Sequence, residues 1–437
     1  MTADKKNFIF IFSFNFFLSV SLIYFTIDPS QLNSENTNDA SPARSNASQE
    51  NSEKIVKQLK PVTKPGLPTT KQLVKMSALP VSPYAKKYSK EIFEQKFSNW
   101  GIDPKLKSSI NLVKAWQIYK KKKDIVVAVI DTGIAPNHSY LKKNIFVKNK
   151  KVSKSNFGVD FSQSKPSLTP IDTHGHGTHV SGIIKSIFPE VKILSLKYYN
   201  PKASGLVNLN STIQALKYAV DQGVDVINYS GGGPEPSSEE YQILRKALQK
   251  KILVIAAAGN ENSNIDSPSK AYYPASYGLP NIITVAAYNK NLNLIASSNW
   301  GARSVDVAAP GNKIGSSIHT GGKAAMTGTS QATAFVTGIA ALMLSNDPKL
   351  NPLEIKNILV SSSIDTKNLY KTVKKFDPVK KVYKLAPEKA LAGGKVDAYL
   401  ALKQASSSIK KPNLPNVKPT SPKAKRDVAQ KKTKLKK

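Results

Sequence analysis

The 437-residue chain contains no cysteine. That absence excludes disulfides, thiolate zinc sites and a cysteine nucleophile, and it leaves the redox compartment open. Acidic residues are also scarce: 29 Asp and Glu stand against 64 Lys and Arg, a formal charge of +35. So basic a surface is drawn to anionic polymers and membranes. Long apolar runs are scarce as well; Phe8 to Phe25 comes close to the ~20 residues that span a bilayer. It follows Lys5 and Lys6, basic first and apolar second as export signals are built, and no Ala-x-Ala cleavage site comes after it. Residues 1–27 therefore read as a signal peptide or an uncleaved membrane anchor, and without cysteine no lipid can be attached after cleavage.

Aromatic residues are thin in both flanks. Residues 28–88, rich in Ser, Asn, Lys and Pro, read as a low-complexity linker or a short pro-segment. Residues 405–437 read as a basic disordered tail, suited to an anionic cell-envelope polymer or to non-specific contact with nucleic acid. Sequence-specific nucleic-acid readout is not expected, for the tail has neither interleaved aromatics nor a recognised motif.

Residues 89–404 are different. Apolar runs rich in β-branched residues recur at Ile125–Ile130, Val191–Leu196, Val224–Asn228, Ile252–Ala258, Ile282–Ala287 and Val305–Ala309, dense enough for strands covered on both faces. Amphipathic stretches at Ser211–Gly223 and Ser237–Lys251 alternate with them. This predicts a three-layer α/β domain, a mostly parallel sheet with helices on both faces, whose chemistry sits where strand carboxyl ends meet loops.

Three such places carry reactive residues. Asp131-Thr132-Gly133 directly follows a strand; the Asp is either a held carboxylate or a turn residue. In IDTHGHGTHVSG, His174, His176 and His179 crowd the start of a helix. Ser330 follows Gly328-Thr329 at the head of a long apolar helix, where a Ser either caps the helix or exposes its hydroxyl at the positive end of the helix dipole. Asp, His and Ser in that chain order is one of the known triad orders.

VAVIDTGI, HGHGTHVSG, VINYSGGGP, VIAAAGNEN, SNWGARSVDVAAPG and TGTSQATAFVTGIAALM stand in the order of the signature blocks of the subtilisin-like serine peptidases, which the chain resembles from about Trp100 to Leu402. The resemblance implies an acyl-transfer enzyme with Asp131, His176 and Ser330 as triad and Asn260 as oxyanion donor. It makes His179 a packing residue and His174 a loop residue. It also implies that Ser204, Gly205 and Leu206 on one side and Ser230, Gly231 and Gly232 on the other sandwich an extended peptide as a third strand. The primary pocket would be walled by Ser230–Gly232 and by Ala257, Ala258 and Gly259. Tyr272 lies near its floor, its ring turned either inward, filling the pocket, or to solvent.

Departures from the family pattern matter too. Gln331, Ala334 and Phe335 stand where the helix block usually has Met, Pro and His, so an oxidisable thioether is missing beside the nucleophile. No cofactor is expected. The tight calcium site of many relatives would need an acid where Tyr140 stands and a long loop where only Phe188-Pro189-Glu190 separates helix from strand, though Asp160 and Asp172 leave room for a weaker site elsewhere. The expected function is an exported serine endopeptidase acting on protein or peptide substrates; the alternative is a catalytically silent scaffold of the same fold that binds peptides or anionic polymers.

Overall fold

The computed structural model describes residues 82–93, 99–148, 152–377 and 382–407. The reading of residues 1–27 as signal or anchor lies outside them, as does the reading of 405–437 as tail beyond residue 407; residues 405–407 instead close a helix on which Ala405 is buried, so the tail begins later than expected. Among the described residues, no helix is long and apolar enough to cross a membrane.

Seven strands form one sheet: β1 (Val126–Asp131), β2 (Gly158–Asp160), β3 (Lys192–Lys197), β4 (Val226–Tyr229), β5 (Leu253–Ala257), β6 (Ile282–Tyr288) and β7 (Val307–Pro310), in the spatial order β2-β3-β1-β4-β5-β6-β7. Every pairing is parallel. All the apolar runs read as strands lie in it. The short β2 was not foreseen; neither were two antiparallel hairpins, β8 (Ile314–Ser317) with β9 (Lys323–Met326) and β10 (Tyr370–Asp377) with β11 (Val382–Lys389). β9 is half exposed and β10 is lysine-rich, so neither carries the dense apolar signal of a buried strand.

Strand side chains alternate between two cores. Val127, Val129, Ile193, Leu253, Ile255 and Val285 face one; Ala128, Ile130, Leu194, Leu196, Val254 and Ala256 face the other. Eight helices complete the described residues: α1 (Pro83–Phe93), α2 (Leu112–Ile118), α3 (His176–Ile187), α4 (Gly205–Gln222), α5 (Ser238–Gln249), α6 (Thr329–Asn346), α7 (Pro352–Ser361) and α8 (Ala398–Ser407). The first core packs against α3 and α6, the second against α4 and α5. Helix α6 is buried at every position but Leu344, as a helix that is apolar all round must be.

The boundary expected at residue 88 falls inside α1. Its Ala85 and Tyr88 are buried, Ser82 Oγ donates to the Trp116 carbonyl at 2.8 Å, and the Tyr84 ring meets Trp116 edge-on at 6.1 Å. The end of the supposed linker thus belongs to the folded domain. Two aromatic residues outweigh the polar composition around them.

Candidate active site

Asp131 is the last residue of β1, paired in register with Lys197 of β3, and the residue is 3% exposed. His176 opens α3, and its Nδ1 lies 2.7 Å from Asp131 Oδ1. The carboxylate can only accept, so Nδ1 carries the proton and Nε2 is left with a lone pair. Burial alone would pull this imidazole down; the charge and hydrogen bond of Asp131 outweigh it and raise its pKa. The approach depends on glycine. A Cβ on Gly177 would sit 2.2 Å from the Gly133 carbonyl, and Gly133 itself is at φ +110°, so no larger residue lets α3 come this near to β1.

Asp172 organises the loop that delivers His176, a role the sequence reading missed by considering it only as a weak metal ligand. It is 3% exposed. Its Oδ1 accepts from Thr132 Oγ1 at 2.9 Å and from the amides of His174 at 3.0 Å and Gly175 at 2.7 Å. Its Oδ2 accepts from the amide and hydroxyl of Thr178 at 2.9 and 2.6 Å. Thr132 Oγ1 in turn accepts from the Gly177 amide at 2.8 Å, closing a ring of bonds around the Asp131 turn. Burial tends to raise the Asp172 carboxyl, but these donors prevail and hold it below the usual carboxylate range. A legible signal existed: an acid four residues ahead of His176, next to a helix N-terminus.

Ser330 is the second residue of α6, which Gly328 caps. Its hydroxyl donates to the Ser230 carbonyl at 3.0 Å instead of to His176. Asn260 follows the β5 turn; its Oδ1 accepts from the Thr329 amide at 2.9 Å and the Thr329 hydroxyl at 3.2 Å, which leaves Nδ2 as the outward donor. Gln331 is fully buried, and neither atom of its carboxamide has a hydrogen-bond partner.

The two edges that the resemblance assigns to peptide binding differ. Ser230, Gly231 and Gly232 continue β4, and Asn228 Nδ2 fixes the Ser230 hydroxyl at 2.8 Å. The opposite edge is shorter than expected and needs correction: Ser204 is extended, but its Oγ accepts from the Val207 amide at 3.3 Å and caps α4, so Gly205 and Leu206 lie in the first helical turn. Leu206 remains 67% exposed beside the cleft. Between the other walls the alternatives for Tyr272 resolve. Its ring lies against both Gly232 and Gly259, where an added Cβ would meet it at 2.5 and 3.1 Å, and the residue is 6% exposed. The ring points inward. Ala257 and Ala258 are buried behind it.

His179 is buried, its Nε2 donating to the carbonyls of Ile314 at 2.9 Å and Ala324 at 3.2 Å, and burial holds its pKa down to about 3. Beside Tyr140, the Lys185 ammonium is buried against the Tyr140 carbonyl and stands 4.3 Å over its ring. Asp160 accepts from the Ser162 amide and hydroxyl, and Asp172 is committed as described. Among the described residues, no three His, Asp or Glu side chains converge as metal ligands.

Residues 122–392 match the Subtilase family. Subtilisin DY of Bacillus licheniformis is 33% identical over 266 residues, which cover 58% of this chain and 90% of subtilisin DY. An intracellular serine protease of Paenibacillus polymyxa is 36% identical over 228 residues, 50% of this chain and 66% of that protein. The solved structure of a protease from Pseudoalteromonas arctica superposes with a TM-score of 0.53 at 24% identity, covering 68% of this chain and 94% of that one; this likeness speaks for the fold alone. Family match, fold and sequence identity agree: the chain belongs to the subtilase family and is a serine-type endopeptidase.

Proposed function

We propose that Asp131, His176 and Ser330 are the catalytic triad of an exported endopeptidase and that Asn260 shares the oxyanion with the Ser330 backbone N–H. The observation that carries this reading is the buried 2.7 Å contact between Asp131 and His176, which prepares Nε2 as a base. Ser330 Oγ turns from the Ser230 carbonyl to His176, gives up its proton and attacks the scissile carbonyl. His176 then protonates the leaving amine, and water repeats the cycle to release the acyl group. The turn frees the Ser230 carbonyl to accept from a substrate N–H. Catalytic contacts that tighten only around substrate are usual.

The inward ring of Tyr272 favours small side chains at the cleaved residue; profiling with matched Ala and Phe peptides is expected to give the Ala peptide the higher kcat/KM. Export is part of the reading and rests on Lys5, Lys6 and the apolar run Phe8–Phe25. The basic tail would hold the exported protein near anionic polymers. A fluorophosphonate probe is expected to label the native protein and not Ser330→Ala. A folded protein that takes no label at Ser330 refutes the triad and leaves the silent peptide-binding scaffold.

A further inference from the structure

A cavity of about 350 Å³ opens beside the His174 ring, lined by Thr132, His174, Lys197, Tyr199, Asn200 and Lys202 among others. It is large enough for one side chain with a little water. Its wall toward the site is aromatic: the His174 ring stands edge-on to His176 at 6.3 Å and to Tyr199 at 5.9 Å. Two lysines line it and no carboxylate does.

From this we infer that the cavity selects a carboxylate-bearing side chain, Asp or Glu, at the second residue on the acyl side of the cleaved bond. The inference rests on the endopeptidase reading. Two steps place the side chain. If a small cleaved residue sits against the Tyr272 ring at the mouth of the gap between Gly232 and Gly259, the next residue of an extended strand points the opposite way, toward the cavity beside His174. The loop it meets there, Tyr199 to Lys202, runs directly into the Ser204 edge of the cleft.

The charges are not all available. Lys197 Nζ donates to the Ile171 carbonyl at 2.7 Å and lies 4.0 Å from Asp160 behind the wall, which offsets part of its charge. Burial holds His174 below the usual histidine range, so it enters as a neutral donor. Lys202 is exposed, and no carboxylate among the described residues pairs with it. Lys202 is therefore the cation a substrate carboxylate meets.

The test uses three peptides of one sequence with Ala at the cleaved position: Glu at the second acyl-side position, Gln there instead, and Gln there with the Glu moved to the far leaving-group side. The third controls for attraction of any acidic peptide to so basic a protein. In the native enzyme, kcat/KM for the first is expected to exceed both others by about fivefold, the scale of one partly exposed ion pair, and the advantage shrinks with added salt. In Lys202→Glu it is expected to vanish or reverse. The affinities of Ser330→Ala for the same peptides, by calorimetric titration, read the selection without turnover. Equal affinity for the first two, equal gain from the displaced Glu, no binding of any of them, or an advantage that survives Lys202→Glu overturns the inference. A native protein that shows no Ser330-dependent hydrolysis while the binding preference persists would instead sink the proposed Ser330 triad and leave the cavity's selection of a carboxylate side chain standing.

Discussion

The Asp131–His176 side of the proposed site and its Ser330 side are built differently. Around Asp131 and His176, the Asp172 carboxylate gathers five donors and Thr132 links two loops, so the charged pair sits in a fixed frame of dipoles. Around Ser330, the hydroxyl rests on the Ser230 carbonyl, Asn260 is anchored by its oxygen only, and the Gln331 carboxamide is buried without partners. A buried charge is costly unless its dipoles are already oriented, whereas a neutral hydroxyl rotates at little cost. The first half is preassembled; the second is held by fewer bonds.

The sharpest test of this contrast is Asp131→Asn, which leaves the frame standing but removes the charge. A fall in kcat of about 10⁴-fold is expected, by analogy with the same change in another triad. The pH profile sharpens it. His176 must be neutral to act, and Asp131 raises its pKa, so native kcat/KM climbs with pH and levels off above that raised value. With Asp131→Asn only the charge of Asp172 still opposes burial, and the acidic limb moves to lower pH; an unmoved limb would mean that another group sets it. The same shift makes this pair's contribution to stability full below about pH 6.5 and lost as pH rises through the folded-state pKa of His176.

On the other half, Asn260→Ala is expected to lower kcat by about 10²–10³-fold with KM nearly unchanged, since the donor matters only once the oxyanion forms. A rise in KM with kcat intact would show that Asn260 binds ground-state peptide. The smallest effect on rate and the opposite effect on stability are expected for Gln331→Leu. Removing two unsatisfied buried polar atoms at similar shape should stabilise the fold by about 1–3 kcal/mol, read by urea unfolding. A destabilised Gln331→Leu would mean that the carboxamide is held by something bound beside it.

The two halves were also unequally legible in the sequence. The strands and the three reactive residues stood out because dense β-branched runs and Gly-flanked motifs are local signals. Asp172 stood out only as an acid just ahead of the helix; its link to Thr132, 40 residues away, is made by the fold. The inward turn of Tyr272 was equally hidden: the sequence names the ring but not the gap between Gly232 and Gly259 that receives it. At Ser204 a capping hydroxyl decided the local structure over the expected extended edge. Hairpin β10–β11 escaped because a lysine-rich alternation resembles surface loop.

The sheet order has one more consequence. Strand β1 is flanked by β3 and β4, all encoded early, while α6 packs across β4 to β7 and is made late. A chain that emerges amino end first holds Asp131 and His176 long before Ser330 is made. Parallel strands joined across such distances also close slowly. If the proposed triad holds, the timing of synthesis is a safeguard in its own right: until the last third of the domain has docked, the growing polypeptide has no assembled triad to cut it.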